Sequence, residues 1–454
     1  MAQYQKITAI PCTAEELYRW HGREGAFERL IPPWQSMDIL SRRGGIEKGA
    51  NIHIRLKRLG ISTDWIAQIT DGLEDSFFVD SQLKGPFEKW IHRHEFSEVD
   101  SHQCRLTDSI DYSLPAGKLG ALFGGRFVAS DLERVFRYRH DVTRNDLAAW
   151  NAYRSYPKFN VLISGGYGFI GSRLANFLKG QGHSVSVLSR NPRQGDFGWD
   201  PENGSIDVNR LNGFDAIIHL AGENLGAGRW NDALKKQIRA SRINSTKLLV
   251  GAMKKMDRPA KVFISGSAVG YYGDCGDRLV NEADGSGNGF LAEVCKDWEA
   301  EASLGSEFVD RVIGLRTGIV LDAGDGALRK MLPPFKLGLG GSFGSGDQWM
   351  SWIALEDWIA AVHHLMLKGE SGAYNLVSPN PERNKSFGKT LASVLRRPAF
   401  FSVPAPLLKA AIGEFAEEGL LSSCRAEPKG LLEAGYRYLY PKLDDALKLV
   451  LGRS

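Results

Sequence analysis

Residues Val161–Leu174 read VLISGGYGFIGSRL. An apolar run, Val161-Leu162-Ile163, meets Gly165, Gly166, Gly168 and Gly171, and a helical pattern with Leu174, Phe177 and Leu178 on one face follows at once. The order predicts a strand, a tight turn and a helix start. Glycines permit the left-handed turn and let the backbone come close to a pyrophosphate. The helix start at Phe169 and Ile170 offers free N–H groups and a positive dipole end to that anion. Glycines at this spacing are informative only between a strand and a helix, and both are here.

The motif lies far from the N-terminus, and 454 residues exceed one ordinary domain. A net charge of +4 with no block of lysine and arginine gives no sign of a nucleic-acid partner. No run of about eighteen apolar residues is present, so a spanning helix is not expected. MAQYQKITAI lacks the basic start and apolar core of a signal peptide. Cys12, Cys104, Cys275, Cys295 and Cys424 are odd in number and widely spaced. They suit a reducing compartment and fit neither a disulfide framework nor a zinc ribbon, so a cytoplasmic protein without a metal is expected.

Residues 1–150 have a character of their own. Ala14 to Leu30 predicts a helix with Leu17, Trp20, Phe27 and Leu30 as its apolar side, ended by Pro32-Pro33. Alternating runs at Asn51–Leu59, Ser62–Thr70, Phe77–Leu83, Lys89–Ser97 and Gln103–Leu114 predict antiparallel strands, and Leu119 to Val142 a long closing helix. This is an α+β sheet wrapped on a helix. The element order, with LKGPFEKWIHRHEF, resembles the START-like superfamily, also called polyketide cyclase/dehydrase, SRPBCC or helix-grip. The resemblance implies an apolar small molecule held between sheet and helix. His92 and His94 share one face of a strand and suit either ligand or acid–base roles, or plain polar surface at a strand edge. Residues 151–158 read as the linker.

From Phe159 strand and helix alternate. Val161–Ile163, Ser184–Leu188, Ala216–Leu220, Lys261–Ile264 and Arg311–Leu315 predict short buried strands, with Gly171–Gly180, Asp232–Lys255 and Gly289–Ser303 as helices. The pattern predicts an α/β fold, a doubly wound parallel sheet of Rossmann type whose ligand lies at the carboxyl ends of the strands. Where an NAD-selective site places an acidic residue after the second strand, this chain has Arg190, with Arg193 nearby. A guanidinium suits the extra phosphate of NADP. Leu220, Ala221 and Gly222, after the third strand, leave room for the coenzyme.

SGGYGFIG, HLAGENLGAGRW, ISGSAVGYYGD, LRTGIVL, MLPPFKLGLGG and GSGDQWMSWIALEDW together resemble an atypical short-chain dehydrogenase/reductase, within the YfcH-like NAD(P)-dependent epimerase/dehydratase branch. The resemblance covers residues 159–454. It implies a coenzyme domain over 159–374, in which Ser265 and Arg242 also face the coenzyme, and a C-terminal lobe over 375–454. It also implies a serine, a tyrosine and a lysine four residues later as proton relay, and homodimers paired through long helices. Ser267 stands at the serine position. The tyrosine and lysine positions hold Leu291 and Cys295, and Lys296 neighbours the second. Leucine carries no proton and an ordinary thiol is mostly neutral at pH 7. Tyr271 or Tyr272 can replace the missing acid or be packing aromatics; Cys295 can be a nucleophile or a small buried side chain. Glu223, Asn224, Arg229 and Trp230 are the candidate substrate contacts, and Lys330, Pro333 and Pro334 with the stretch 338–346 a wall of the cleft. Two functions follow: an NADP(H)-dependent oxidoreductase or epimerase acting on a small oxygenated molecule, or a non-catalytic NADP-binding sensor.

Overall fold

A computed structural model describes every residue except Leu59, Ala116 and Ser454, and describes Arg58 and residues 117–123 by backbone alone. Leu59, the last residue of one expected strand, thus lies outside the described residues. The chain divides into two compact units, Met1–Pro157 with Asn176–Gly182 and Leu449–Arg453, and Lys158–Ala175 with His183–Lys448.

The first unit is a seven-stranded antiparallel sheet with helices. In chain order it runs β1 (Ala2–Ile10), α1 (Ala14–Gly22), α2 (Ala26–Arg29), β2 (Ser36–Arg43), β3 (Asn51–Arg58), β4 (Ile61–Leu73), β5 (Phe77–Lys84), β6 (Lys89–Asp100), β7 (Gln103–Ser113) and α3 (Gly117–Tyr153). The sheet order is β1-β7-β6-β5-β4-β3-β2. The one helix expected over Ala14–Leu30 is two. Thr13 caps α1 by accepting from Glu16 N at 3.2 Å; Arg23 is then extended and Gly25 takes φ +84°, which breaks the run. α3 runs to Tyr153, into the expected linker. Trp20, Phe78, Phe96 and Leu106 fill one end of the core, and Trp90, Ile110, Tyr112 and Phe136 the other. A buried two-toothed ion pair, Arg29 Nη2 to Asp146 Oδ1 at 2.7 Å and Nε to Oδ2 at 3.0 Å, joins α2 to α3.

The second unit is built on an eight-stranded sheet. It runs β8 (Asn160–Ser164), α4 (Phe169–Gly180), β9 (Ser184–Ser189), β10 (Phe197–Asp200), β11 (Ser205–Ile206), β12 (Ala216–His219), α5 (Asp232–Met253), β13 (Val262–Ala268) and α6 (Phe290–Ser303), followed by strands Arg311–Thr317 and Gly372–Leu376. The order is β11-β10-β9-β8-β12-β13, then those last two strands. All pairs are parallel except β10 with β11. Val161, Leu162, Ile163, Ile217, Ile218, Phe263 and Ile264 are buried without residue, as strands covered on both faces must be. The chain leaves β8 toward β9 on one side and returns at β12 on the other. That reversal opens a crevice at the carboxyl ends of β8 and β12.

Candidate functional site

The glycine turn after β8 lies at that reversal, and backbone packing dictates its composition. Gly165 takes φ +74°, and a Cβ there would stand 2.9 Å from Ala221 N. A Cβ on Gly171 would stand 2.2 Å from Gly165 O, and one on Gly166 2.8 Å from the Val187 side chain. No side chain fits at these positions. Gly168 N donates to Gly165 O at 2.9 Å, and α4 begins at Phe169. The first N–H groups of α4, around Phe169, Ile170 and Gly171, have no partner within their own helix and open at the strand ends. The cradle therefore fits a dinucleotide pyrophosphate.

His219 ends β12 fully buried. Ser245 Oγ donates to Ser241 O at 2.6 Å, so it accepts from His219 Nε2 at 3.0 Å, and His219 Nδ1 accepts from Ser164 Oγ at 2.6 Å. Burial, helped by the Arg242 charge, pushes His219 down to about 3 and keeps it neutral. Arg242 lies against the same strand end. It donates to Glu223 O at 3.1 Å and Ile238 O at 3.0 Å, its guanidinium lies 5.3 Å from the Trp298 ring centre, and a Cβ on Gly222 would approach it to 3.3 Å.

Arg190 directly follows β9. Its side chain is exposed, with Glu202 at 3.8 Å. Arg193 lies over the ring of Tyr167, in the glycine turn, at 3.8 Å. The Tyr167 hydroxyl donates to Asp196, which also accepts from Arg193 N at 2.7 Å. Tyr167 and Asp196, unremarked in the sequence, thus brace the glycine turn to the loop that carries both arginines.

A second cluster stands at the carboxyl end of β13. Ser267, Arg316 and Asn375 are register partners across three neighbouring parallel strands. Ser267 Oγ donates to Glu299 Oε1 of α6 at 2.6 Å. Arg316 grips Glu299 with both teeth, Nε to Oε1 and Nη2 to Oε2, each 2.9 Å. Arg316 Nη1 donates to the Tyr272 hydroxyl at 2.9 Å, which donates on to Asn375 Oδ1 at 2.8 Å. Tyr272 is buried, and burial raises its pKa. Tyr271 is half-buried and lays its ring 3.6 Å from the Arg316 guanidinium. The structure thus gathers Ser267, Tyr271 and Tyr272 around Arg316 and Glu299. Glu299, Arg316 and Asn375 were not among the residues singled out from the sequence. The available signal was an arginine inside the apolar strand sequence VIGLRT, which has to find an anion.

Cys295 lies in the same neighbourhood, buried, and burial pushes its thiol up to about 11. It is held as a neutral thiol. Lys296 is exposed, whereas Leu291 is half-buried, with its side chain 3.3 Å from where a Cβ on Gly270 would lie. Ser265 is buried in β13. Of the candidate substrate contacts, Glu223 N donates to Ser241 Oγ at 3.0 Å, and Asn224 Oδ1 accepts from Gly226 N at 2.8 Å. Arg229 is exposed. Trp230 is buried, donates to Leu225 O at 2.8 Å and packs against Phe290 and Phe415. Lys330 donates to Gly226 O at 3.2 Å, from the helix Gly326–Lys336 that also contains Pro333 and Pro334.

The first unit contains a partly open cavity of about 540 Å³, lined among others by Phe27, Leu30, Trp65, Phe78, Trp90 and Phe136. His92 and His94 line it too, and are 3 % and 9 % exposed. They are interior groups, which removes the reading of them as polar surface at a strand edge.

The comparisons with known proteins fit both units. Residues 161–376 match the NAD dependent epimerase/dehydratase family, residues 10–136 the family described as polyketide cyclase / dehydrase and lipid transport, and residues 403–450 a domain of unknown function, DUF1731. Epimerase family protein Mb2239 of Mycobacterium bovis is 40% identical over 290 residues, covering 63% of this chain and 96% of the relative. Epimerase family protein SDR39U1 of Homo sapiens is 35% identical over 295 residues, 64% of this chain and 99% of the relative. A nucleoside-diphosphate sugar epimerase from Corynebacterium glutamicum has a solved structure that superposes with a TM-score of 0.81 at 30% identity, covering 99% of this chain and 90% of that one. The human SDR39U1 structure with NADPH superposes with a TM-score of 0.60 at 34% identity over 64% of this chain and 98% of that one. With a strand–glycine turn–helix cradle at the reversal of a parallel sheet and an antiparallel helix-grip unit before it, the chain belongs to the SDR39U1-like epimerase family of NAD(P)-binding Rossmann proteins, with an N-terminal polyketide cyclase/dehydrase domain and a C-terminal DUF1731 domain.

Proposed function

We propose that the chain is an NADP(H)-dependent oxidoreductase or epimerase acting on a small oxygenated substrate, with Ser267 and Glu299 in place of the usual tyrosine–lysine relay. The observation that carries it is the 2.6 Å bond from the Ser267 hydroxyl to Glu299. The nicotinamide coenzyme, when bound on Gly165, Gly166, Gly168 and Gly171, supplies hydride chemistry. Because Ser267 gives its proton to Glu299, its oxygen is left to accept one from a substrate hydroxyl. A proton taken there passes to the carboxylate, whose charge Arg316 balances. Tyr271, half-buried beside Arg316, presents the other hydroxyl of this corner, whereas Tyr272 is committed to Arg316 and Asn375. Arg190, exposed after β9, supports NADP over NAD, as does the relative solved with NADPH.

The test is NADPH consumption against a library of small carbonyl compounds. Ser267→Ala and Glu299→Gln are expected to lower kcat by about 10²–10⁴ while NADPH affinity stays within twofold. Equal turnover in wild type and Glu299→Gln would refute the relay. A second reading rests on a definite observation, that leucine and a neutral buried cysteine fill the usual tyrosine and lysine positions. It makes the chain a non-catalytic NADP sensor whose helix-grip unit receives an apolar ligand. NADPH binding without turnover across the library would favour it.

A further inference from the structure

The polar end of the helix-grip cavity poses a chemical problem. His92 and His94 alternate on β6 and point to one face. Asp80 of β5 is the register partner of His92, and Asp108 of β7 that of His94. The two imidazole rings lie with centres 3.8 Å apart. All four of their nitrogens face carboxylate oxygen. Asp80 Oδ2 stands 3.1 Å from His92 Nδ1 and 3.3 Å from His94 Nε2; Asp108 Oδ1 stands 3.0 Å from His92 Nε2 and 2.7 Å from His94 Nδ1.

Read as hydrogen bonds alone, these contacts need a proton on every ring nitrogen, hence two imidazolium ions side by side. The geometry does not support that. His94 Nδ1, buried and 2.7 Å from its oxygen, lies outside hydrogen-bonding geometry. A cation beside Asp80 takes the lone pairs of His92 Nδ1 and His94 Nε2, so each ring stays neutral and needs only the one proton it turns toward Asp108. Asp80 Oδ2 stands 3.1 Å from His92 Nδ1 and 3.3 Å from His94 Nε2, separations that neighbouring ligands about 2.0–2.2 Å from one ion would have. Behind them Asp108 Oδ2 accepts from His140 Nε2 of α3 at 2.7 Å, and His140 Nδ1 meets Thr8 Oγ1 of β1 at 2.8 Å. Chains of this kind hold metal-binding imidazoles in position.

We propose that Asp80, His92 and His94 bind one divalent transition-metal ion at the polar end of the helix-grip cavity. Two imidazoles and one carboxylate select the zinc, cobalt and ferrous ions over magnesium and calcium. Because the three ligands line the cavity, the remaining coordination positions face its interior and take water or an oxygen of the molecule held there. The cavity thereby distinguishes a ligand with an oxygen donor at one end from a plain hydrocarbon.

The test uses the full chain, stripped with a chelator and titrated with Co²⁺. Visible d–d absorption saturating at one equivalent, and displaced by Zn²⁺, is expected. It should vanish in His92→Ala and in Asp80→Asn, with NADPH affinity unchanged as proof that the coenzyme unit is intact. Absence of d–d bands in the wild type at excess Co²⁺ overturns the proposal, as do bands that persist in a folded His92→Ala/His94→Ala variant. Should those variants fail to fold, histidine modification of the wild type decides the matter. Zn²⁺ is expected to protect His92 and His94 from diethyl pyrocarbonate at least fivefold, and equal labelling with and without Zn²⁺ refutes the site.

Discussion

At the scale of single residues, two that the sequence singles out, Arg190 and Tyr272, part company. Arg190 is exposed and reaches only toward Glu202, 3.8 Å away, so its replacement disturbs no core. Arg190→Asp removes a guanidinium that would meet a phosphate and adds a repelling charge. NADPH affinity should fall about tenfold to a hundredfold, the worth of one charge-assisted bond, with NADH affinity within twofold. Equal loss for both coenzymes, measured by fluorescence titration, would contradict the assignment. Tyr272 is the opposite case: buried, with Arg316 at 2.9 Å and Asn375 at 2.8 Å. Tyr272→Phe leaves both partners wanting a bond and should cost about 1–3 kcal/mol of stability in denaturant unfolding, with turnover retained. Loss of turnover at unchanged stability would make Tyr272 the acid instead. Nothing in the sequence YYG separates the two tyrosines; only burial does.

Elements were legible where their pattern was apolar and hidden where polar side chains do the packing. The strand–turn–helix at β8 and α4 is plain because Val161–Ile163 and the glycines leave no other solution. β1 is not plain. Its inward positions are Tyr4, Lys6, Thr8 and Ile10, while Ile7 faces solvent. Lys6 and Tyr4 are satisfied by Glu133 and Thr8 by His140, all on α3, so the alternation reads backwards until the helix is in place. The Ser267–Glu299–Arg316 cluster was hidden for a similar reason: its members come from β13, α6 and the strand Arg311–Thr317, and only the register aligns them. The same cluster fastens α6 to the sheet, which yields a second stability prediction. Arg316 and Glu299 are paired with side chains 6% and 19% exposed. Arg316→Met alone strands the carboxylate and should cost about 3–5 kcal/mol. Adding Glu299→Met removes the stranded charge and should restore at least half of that loss. Strictly additive costs in urea unfolding would show that the pair does not act as a unit.

The molecule as a whole carries several histidines that fold only when neutral. In the first unit burial, with His94 beside it, lowers His21 to about 4. In the second, His219 sits at about 3 and His183 at about 4, burial being the main cause in each. His183 Nδ1 accepts from Phe159 N at 3.0 Å, so its proton is on Nε2, which donates to His363 Nε2 at 3.0 Å. A further proton on His363 Nε2 breaks the contact, and burial, with His183 beside it, holds His363 well below its ordinary range. The sign follows from linkage. Unfolded histidine takes up its proton near pH 6.5 while these folded ones do not, so their stabilisation is complete above pH 6.5 and is lost as pH falls toward 4. Asp357 works in the other direction, burial raising it to about 6, so the folded state gains from its protonation below that value and offsets part of one histidine's loss. His219 by itself should account for about 2 kcal/mol of the difference between pH 7 and pH 5. Urea unfolding at the two values should show the wild type weakened at pH 5, and His219→Asn, less stable at pH 7, weakened by that much less. An unchanged pH difference in the variant would mean that His219 is already protonated in the folded protein; both ring nitrogens would then donate, and the bond between Ser164 and His219 would have to reverse, with Ser164 Oγ accepting.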